Sequence, residues 1–295
     1  MPSASVATRA IGGWEYRICG LSFGRLNLIR RTSPTAIFFS NTMPTPFLYS
    51  NVTYAPESKE TELCQVGPFA NRLPSVKGRV FAESDEALLI AAGVPDTKCW
   101  RQLARSGCIL MRHYSKLQSI VAESGISGNR IGIYISANAG ATDWQSAWEL
   151  AKAGDQDFFS VLNRTLPRKH IFKQGAYGCA TQLGIFLGIT GPQLTFLEPE
   201  AQWCPLLDQA RFDLKEGNVE MAILAAANAL EDPLAVYYES KSDPALAPVE
   251  ATACVVLKKG DLQFLPGNPL PPRNLHNFYG PARSVIDLVE AMHHE

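Results

Sequence analysis

The sequence predicts an α/β protein in which layers of helix pack on sheet. Two short apolar runs, Arg130–Ser136 (RIGIYIS) and Met221–Leu224, read as strands, the first too apolar for an exposed edge. Between and around them lie segments with apolar residues at three- and four-residue spacing, which read as amphipathic helices. At 295 residues, 46% hydrophobic and 19% charged, the chain is long enough for one large domain or two small ones with a true core. A net charge of −1 leaves no electrostatic footprint for nucleic acid or anionic lipid. No run approaches 18 uncharged apolar residues, so no membrane span is expected. The seven cysteines (Cys19, Cys64, Cys99, Cys108, Cys179, Cys204 and Cys254) are scattered, odd in number and without a CxxC pair. They argue against a disulfide framework or a zinc site and for a reducing cytoplasm.

Residues 1–42 hold five arginines, no lysine and one acid, Glu15. The composition superficially matches a transit peptide. Without amphipathic periodicity it reads rather as a disordered extension or a misassigned start, with Met43 the true beginning, and residues 43–295 form the domain. From Met43 to about Pro95 the chain is rich in Pro, Gly and charge and reads as loops with a weak helix at Asp85–Ala92. A helix follows from Lys98 to Glu123, with Leu103, Leu110, Tyr114, Leu117 and Val121 on one face. Thr142 can cap a helix over Asp143–Ala153. Asn163–Lys173 is locally basic and reads as a solvated connection, with His170 a surface or capping residue. Gln174–Leu187 is a helix rich in small residues, and Cys179 within it is expected in the core.

The most informative stretch is Gly188–Ala229. A Gly191-Pro192 turn leads to a short strand, Leu194–Leu197, then to a tight EPEAQWCP segment and a helix carrying Leu206, Leu207, Ala210 and Leu214. Gly217-Asn218 stops that helix, and the apolar strand from Met221 runs into Ala225, Ala226 and Ala227. A strand, a sharp turn and a helix set a side chain at the mouth of a sheet. Asn228–Pro248 reads as a loop with Asp-Pro turn signals, Glu250–Leu257 as a strand, and Phe278–Met292 as a last helix after a Pro-rich connector, Leu265–Pro272.

In the order and spacing of five segments, best over residues 100–257, the chain resembles the β-ketoacyl synthases. Those segments are the long helix before RIGIYIS, the small-residue loop Ala137–Gly140, the QGAYGCATQLGIFL helix, the GPQLTF…EGNVEMAIL unit and the EATACVVL strand. The resemblance implies a thiolase-like layered αβαβα fold, first half complete and second half strongly truncated. The family's two histidine motifs and glycine-rich loop are not in the remaining 38 residues, and His276 is at most a relic of one histidine. Counted back from Ala210, the family's catalytic cysteine falls on Glu200, which is no nucleophile for a thioester, while Cys204 lies one helical turn past it.

A synthase fold without its cysteine is similar to the chain-length factors of type II polyketide systems and to shortened synthase-like proteins. By that resemblance the chain is a non-condensing subunit that pairs as a heterodimer with an active β-ketoacyl synthase in polyketide- or fatty-acid-type biosynthesis. The pairing would use the strand Leu194, Thr195, Phe196 and Leu197. An acyl carrier protein would contact the basic segment through Arg164, Arg168, Lys169 and Lys173. Two alternatives stay open: a stand-alone decarboxylase or acyltransferase using Glu200 or Cys204, and a homodimeric acyl-binding protein. No cofactor and no metal are expected; the terminal His293-His294-Glu295 reads as a frayed helix end.

Overall fold

In a computed structural model, the residues described are 48–64, 72–95, 103–138, 148–149, 151–152, 160–161, 178–196, 205–242, 247–265 and 277–294. The chain divides at Met43, and the described residues belong to the unit Pro44–Glu295. In chain order the strands are β1 (Tyr49–Tyr54), β2 (Glu60–Leu63), β3 (Val76–Arg79), β4 (Ile131–Ala137), β5 (Gln193–Phe196), β6 (Met221–Asn228), β7 (Ala247–Pro248), β8 (Ala251–Lys258) and β9 (Asn277–Phe278). The helices are α1 (Asp85–Ala91), α2 (Arg105–Leu110), α3 (Tyr114–Ser124), α4 (Gly178–Leu187), α5 (Pro205–Glu216), α6 (Pro233–Ser242) and α7 (Arg283–His294).

Five strands form the central sheet in the order β1-β8-β6-β4-β5. β4 runs parallel to both β5 and β6, and β8 runs antiparallel to β6 and β1. Every residue of β4 and β6 is buried, as expected of strands covered on both faces. The faces follow from period-two alternation. Ile133, Ile223, Val256 and Tyr49 share one face by register. On it lie α2, α3 and α4, joined to the sheet through His113, whose ring nitrogens meet Tyr49 Oη at 2.9 Å and Thr252 Oγ1 at 3.1 Å. Tyr134, Leu224, Val255 and Ser50 share the other face, which α5 and α7 cover. The result is three layers, helix on mixed sheet on helix: the layered α/β architecture expected from the sequence.

Each layer is fastened by a specific device. Tyr134 Oη donates to Asp213 Oδ2 of α5 at 2.7 Å, and Gln209 and Asn218 donate to the same carboxylate at 3.0 and 2.9 Å. Burial works against that charge, but the three hydrogen bonds outweigh it and hold the carboxyl below its usual range. Gly132 makes the contact possible: a Cβ there would lie 2.6 Å from Tyr134 Oη and 2.7 Å from the ring. On the other face Gly184 lets α4 lie against β5, because a Cβ there would collide with the Gln193 amide. That is the close packing expected of the small-residue helix, and Cys179 within it is buried as expected.

Several elements differ from the sequence reading. The helix expected over Lys98–Glu123 is broken into α2 and α3 by a 3-10 turn, Met111–His113. The turn puts the buried His113 onto the sheet, and burial beside Arg112 pushes its imidazole down to about 4. Residues expected as loops supply β1, the antiparallel pair β2–β3, and α6. Asp232 caps α6, its Oδ1 accepting from the Leu234 and Ala235 N–H groups, and Pro233 takes the first helical position. The Asp-Pro pair is thus a helix start rather than a turn. β6 continues through its alanines to Asn228, and the last helix begins at Arg283, after a 3-10 turn at Gly280–Ala282. His293 does not dangle: its Nε2 lies 3.1 Å from Ser50 Oγ. Residues 1–42, the expected Thr142 cap and the basic segment 163–173 lie outside the described residues.

Gly132→Ala should destabilise the protein by ~1–3 kcal/mol through overpacking, read as a lower urea midpoint. The same change in a Tyr134→Leu background should cost clearly less; equal costs in both backgrounds would show that the ring contact is not the reason.

Candidate functional site

In sheets of this kind ligands bind outside the carboxyl ends of parallel strands, where neighbouring strands send their connections in opposite directions. β4 and β6 are such a pair. The chain after β4 goes on to β5 on one side, and the chain after β6 goes on to β8 on the other. At this switch point the two strand ends are tied together by asparagines. Asn138 Nδ2 donates to Asn228 Oδ1 at 3.1 Å, and Asn138 Oδ1 accepts from the Ala229 N–H at 2.7 Å. Asn228 Nδ2 in turn donates to the Val249 carbonyl at 2.9 Å. These bonds hold the segment Ala229–Asp232 against the end of the sheet.

Next to it is a cluster of charge around Arg105, the first residue of α2. The guanidinium donates to both oxygens of Glu250, at 3.1 and 2.9 Å, to Asp85 Oδ1 at 3.0 Å, and to the carbonyls of Glu83 and Phe81 at 2.9 and 2.8 Å. Glu250 is only 2% exposed and also accepts from the Phe81 N–H at 2.8 Å. One cation and two carboxylates are therefore mutually saturated. A third carboxylate, Glu231, meets Arg105 only at the main chain, where its Oε1 accepts the N–H at 2.8 Å. Burial raises the Glu231 carboxyl most, with Asp85 and Glu250 adding to it, while the N–H and charge of Arg105 pull it back. The balance is a carboxyl pushed up to about 7.

Beside this cluster Ser106 Oγ lies 3.8 Å from Cys179 Sγ. Burial pushes the Cys179 thiol up to about 11, and burial likewise raises Cys64 and Cys254. A buried thiol with a raised pKa is the opposite of an activated nucleophile, so none of these three is a candidate for acyl transfer. Cys64, Cys108, Cys179 and Cys254 are all buried, and none is in a disulfide. Among the described residues no group of three or more His, Cys, Asp or Glu side chains is placed to hold a metal ion, and no helix is long and apolar enough to cross a membrane.

Of the site residues read from sequence, Leu194, Thr195 and Phe196 form β5, the outermost strand of the sheet, with a strand neighbour on one side only among the described residues. Leu194 is 38% exposed. Leu197, Glu200, Cys204, His276 and the four basic residues Arg164, Arg168, Lys169 and Lys173 lie outside the described residues. The sequence reading did not single out Asn138, Asn228, Arg105, Glu231 or Glu250. The usable signals were polar residues standing immediately after or before the most apolar strands, as in AAANALE and PVEATACVV.

Glu250→Ala would leave the Arg105 guanidinium without its main partner, and should cost ~3–5 kcal/mol in urea unfolding. Glu231→Gln should do the reverse at high pH. The folded chain holds the Glu231 proton more firmly than the unfolded chain, a stabilisation complete in acid and lost as pH rises through about 7. Gln at 231 should therefore raise stability at pH 8 by ~3 kcal/mol and change little near pH 4. A difference independent of pH would show that folding does not shift the Glu231 carboxyl.

No protein-family model matches the chain, and no curated protein matches it. Among solved structures it is similar to the ketosynthase ApeO in complex with its chain length factor ApeC from Xenorhabdus doucetiae, at 13% identity over 72% of this chain and 57% of that one, with a TM-score of 0.47. It is also similar to the ishigamide ketosynthase/chain length factor, at 13% identity over 68% and 54% of the two chains, with a TM-score of 0.48. A β-ketoacyl synthase from Burkholderia phymatum STM815 matches at 14% identity over 55% and 44%, with a TM-score of 0.41. The chain spans about half the length of these proteins.

Proposed function

We propose that this chain is a non-condensing, ketosynthase-like subunit that pairs with an active β-ketoacyl synthase and helps handle acyl chains delivered by an acyl carrier protein. The observation that carries the reading is the position of β5, which among the described residues has a strand neighbour on one side only and carries the exposed Leu194, an edge to which a second strand can add. Glu200 at the position of the family's cysteine supports the non-condensing half of the reading, as do the buried, high-pKa thiols of Cys64, Cys179 and Cys254. An enzyme working by a thiolate would need a cysteine other than these three.

The test is co-expression of the full chain with an active ketosynthase, followed by size exclusion with mass detection. A one-to-one complex is expected, and Leu194→Asp should weaken it at least tenfold by placing a charge in the strand edge. A stable homodimer that ignores the synthase would overturn the reading. In that case Glu200 and Cys204 would be assayed for decarboxylase or acyltransferase activity.

A further inference from the structure

The 3-10 turn between α2 and α3 is tied to the sheet by hydrogen bonds whose donors and acceptors can be assigned one by one. A threonine hydroxyl has one proton to give, and Thr252 gives it to the Ala226 carbonyl at 2.9 Å. The 3.1 Å contact between Thr252 Oγ1 and His113 Nε2 is then a hydrogen bond only if the ring nitrogen donates. In a neutral imidazole with its proton on Nε2, Nδ1 is an acceptor, so Tyr49 Oη donates to it across 2.9 Å. One arrangement fills all three bonds, running from Tyr49 to His113 to Thr252 to Ala226. His113 and Thr252 are both buried. Nothing around the ring favours a second proton. Arg112, its neighbour in the turn, is a cation, and Glu83, ahead of α1, bonds that guanidinium rather than the ring. Burial keeps Tyr49 of β1 and Cys254 of β8 protonated and neutral. No carboxylate among the described residues bonds to His113.

We propose that His113 is an acid-sensitive lock: the neutral ring clasps the turn between α2 and α3 to β1 and β8, and its protonation releases the turn from the sheet. A protonated ring has two N–H donors and no acceptor, so the Tyr49 O–H loses its place. A second positive charge then sits buried beside Arg112 with no anion bonded to it. Released into water, the imidazole titrates at about 6.5. In the closed turn, burial beside Arg112 holds it down to about 4. The closed turn is therefore most stable above ~6.5 and weakens about tenfold per pH unit below that. The loss levels off as pH falls through about 4. The other face of β1 is held separately, by Tyr54 on Glu290 and Ser50 on His293 of α7. Release therefore concerns the turn and leaves the pairing of β1 with β8 in place. The lock makes no use of β5 and stands whether or not that edge takes a partner.

The test is amide hydrogen exchange of the full chain at pH 7 and pH 5, corrected for the intrinsic pH dependence of exchange. Protection over residues 111–117 should fall about twentyfold between the two, while peptides from β4 and β6 change clearly less. His113→Gln keeps an N–H donor for Thr252 and does not titrate, so its protection over the same residues should stay within about twofold. Should that variant fail to fold, the wild-type ring answers alone. Its ¹⁵N signals should show a bare Nδ1 and a protonated Nε2 at pH 7, and the ring should stay mostly neutral at pH 5, where an exposed histidine is charged. A fall in protection that persists in His113→Gln overturns the proposal, as does one shared equally by β4 and β6. So does a ring that carries its proton on Nδ1 at pH 7, or that is charged at pH 5 with the turn still protected.

Discussion

The Arg105–Glu250 ion pair is the constraint on which the rest of this structure depends. Its partners come from four places in the chain: the strand-to-helix connection around Phe81–Asp85, the first turn of α2, the segment after β6 and the residue that opens β8. A buried pair of this sort adds little net stability over an apolar packing of the same volume, because two charges must leave water. What it supplies is uniqueness. A guanidinium with every donor used has one satisfactory arrangement, and each of the four segments is positioned by it. The Glu250 carboxylate is central because it accepts from the Phe81 N–H as well as from two guanidinium nitrogens.

That saturation has an electrostatic side. Because Arg105 is fully engaged, the carboxyl of Glu231 finds only one N–H, and burial raises it into the neutral range. The same layer of the molecule holds its thiols dry and protonated. Among the described residues, the groups placed at the carboxyl edge of the sheet are the amides of Asn138 and Asn228 and the carboxyl of Glu231.

How much of this could be read from the residues depends on where the information sits. Strands β4, β6 and β8 and helices α4 and α5 were legible because their apolar residues are consecutive or periodic, and burial on both sides leaves no ambiguity. β1 was not legible: YSNVTY is half polar, and it is a strand only because β8 offers it an edge almost the whole chain away. α6 was missed because Asp-Pro can begin either a turn or a helix, and the capping bonds of Asp232 decide between them. The break at Met111–His113 is set by a histidine reaching Thr252 and Tyr49, a contact no local window contains. For the site, position 200 was read by counting within one continuous segment and lies outside the described residues. Glu231, Arg105 and Glu250 were not, since their meaning lies in pairing across well over a hundred residues.

The pairing of β1 with β8 also has a consequence in time. Among the strands described, Tyr49–Tyr54 pairs with Ala251–Val256, so the first of them is completed by nearly the last. During synthesis about two hundred residues must emerge between the two, which at ~5–20 residues per second is roughly 10–40 seconds. β6 is made only shortly before β8, and until β8 emerges the side of β6 that it covers is bare.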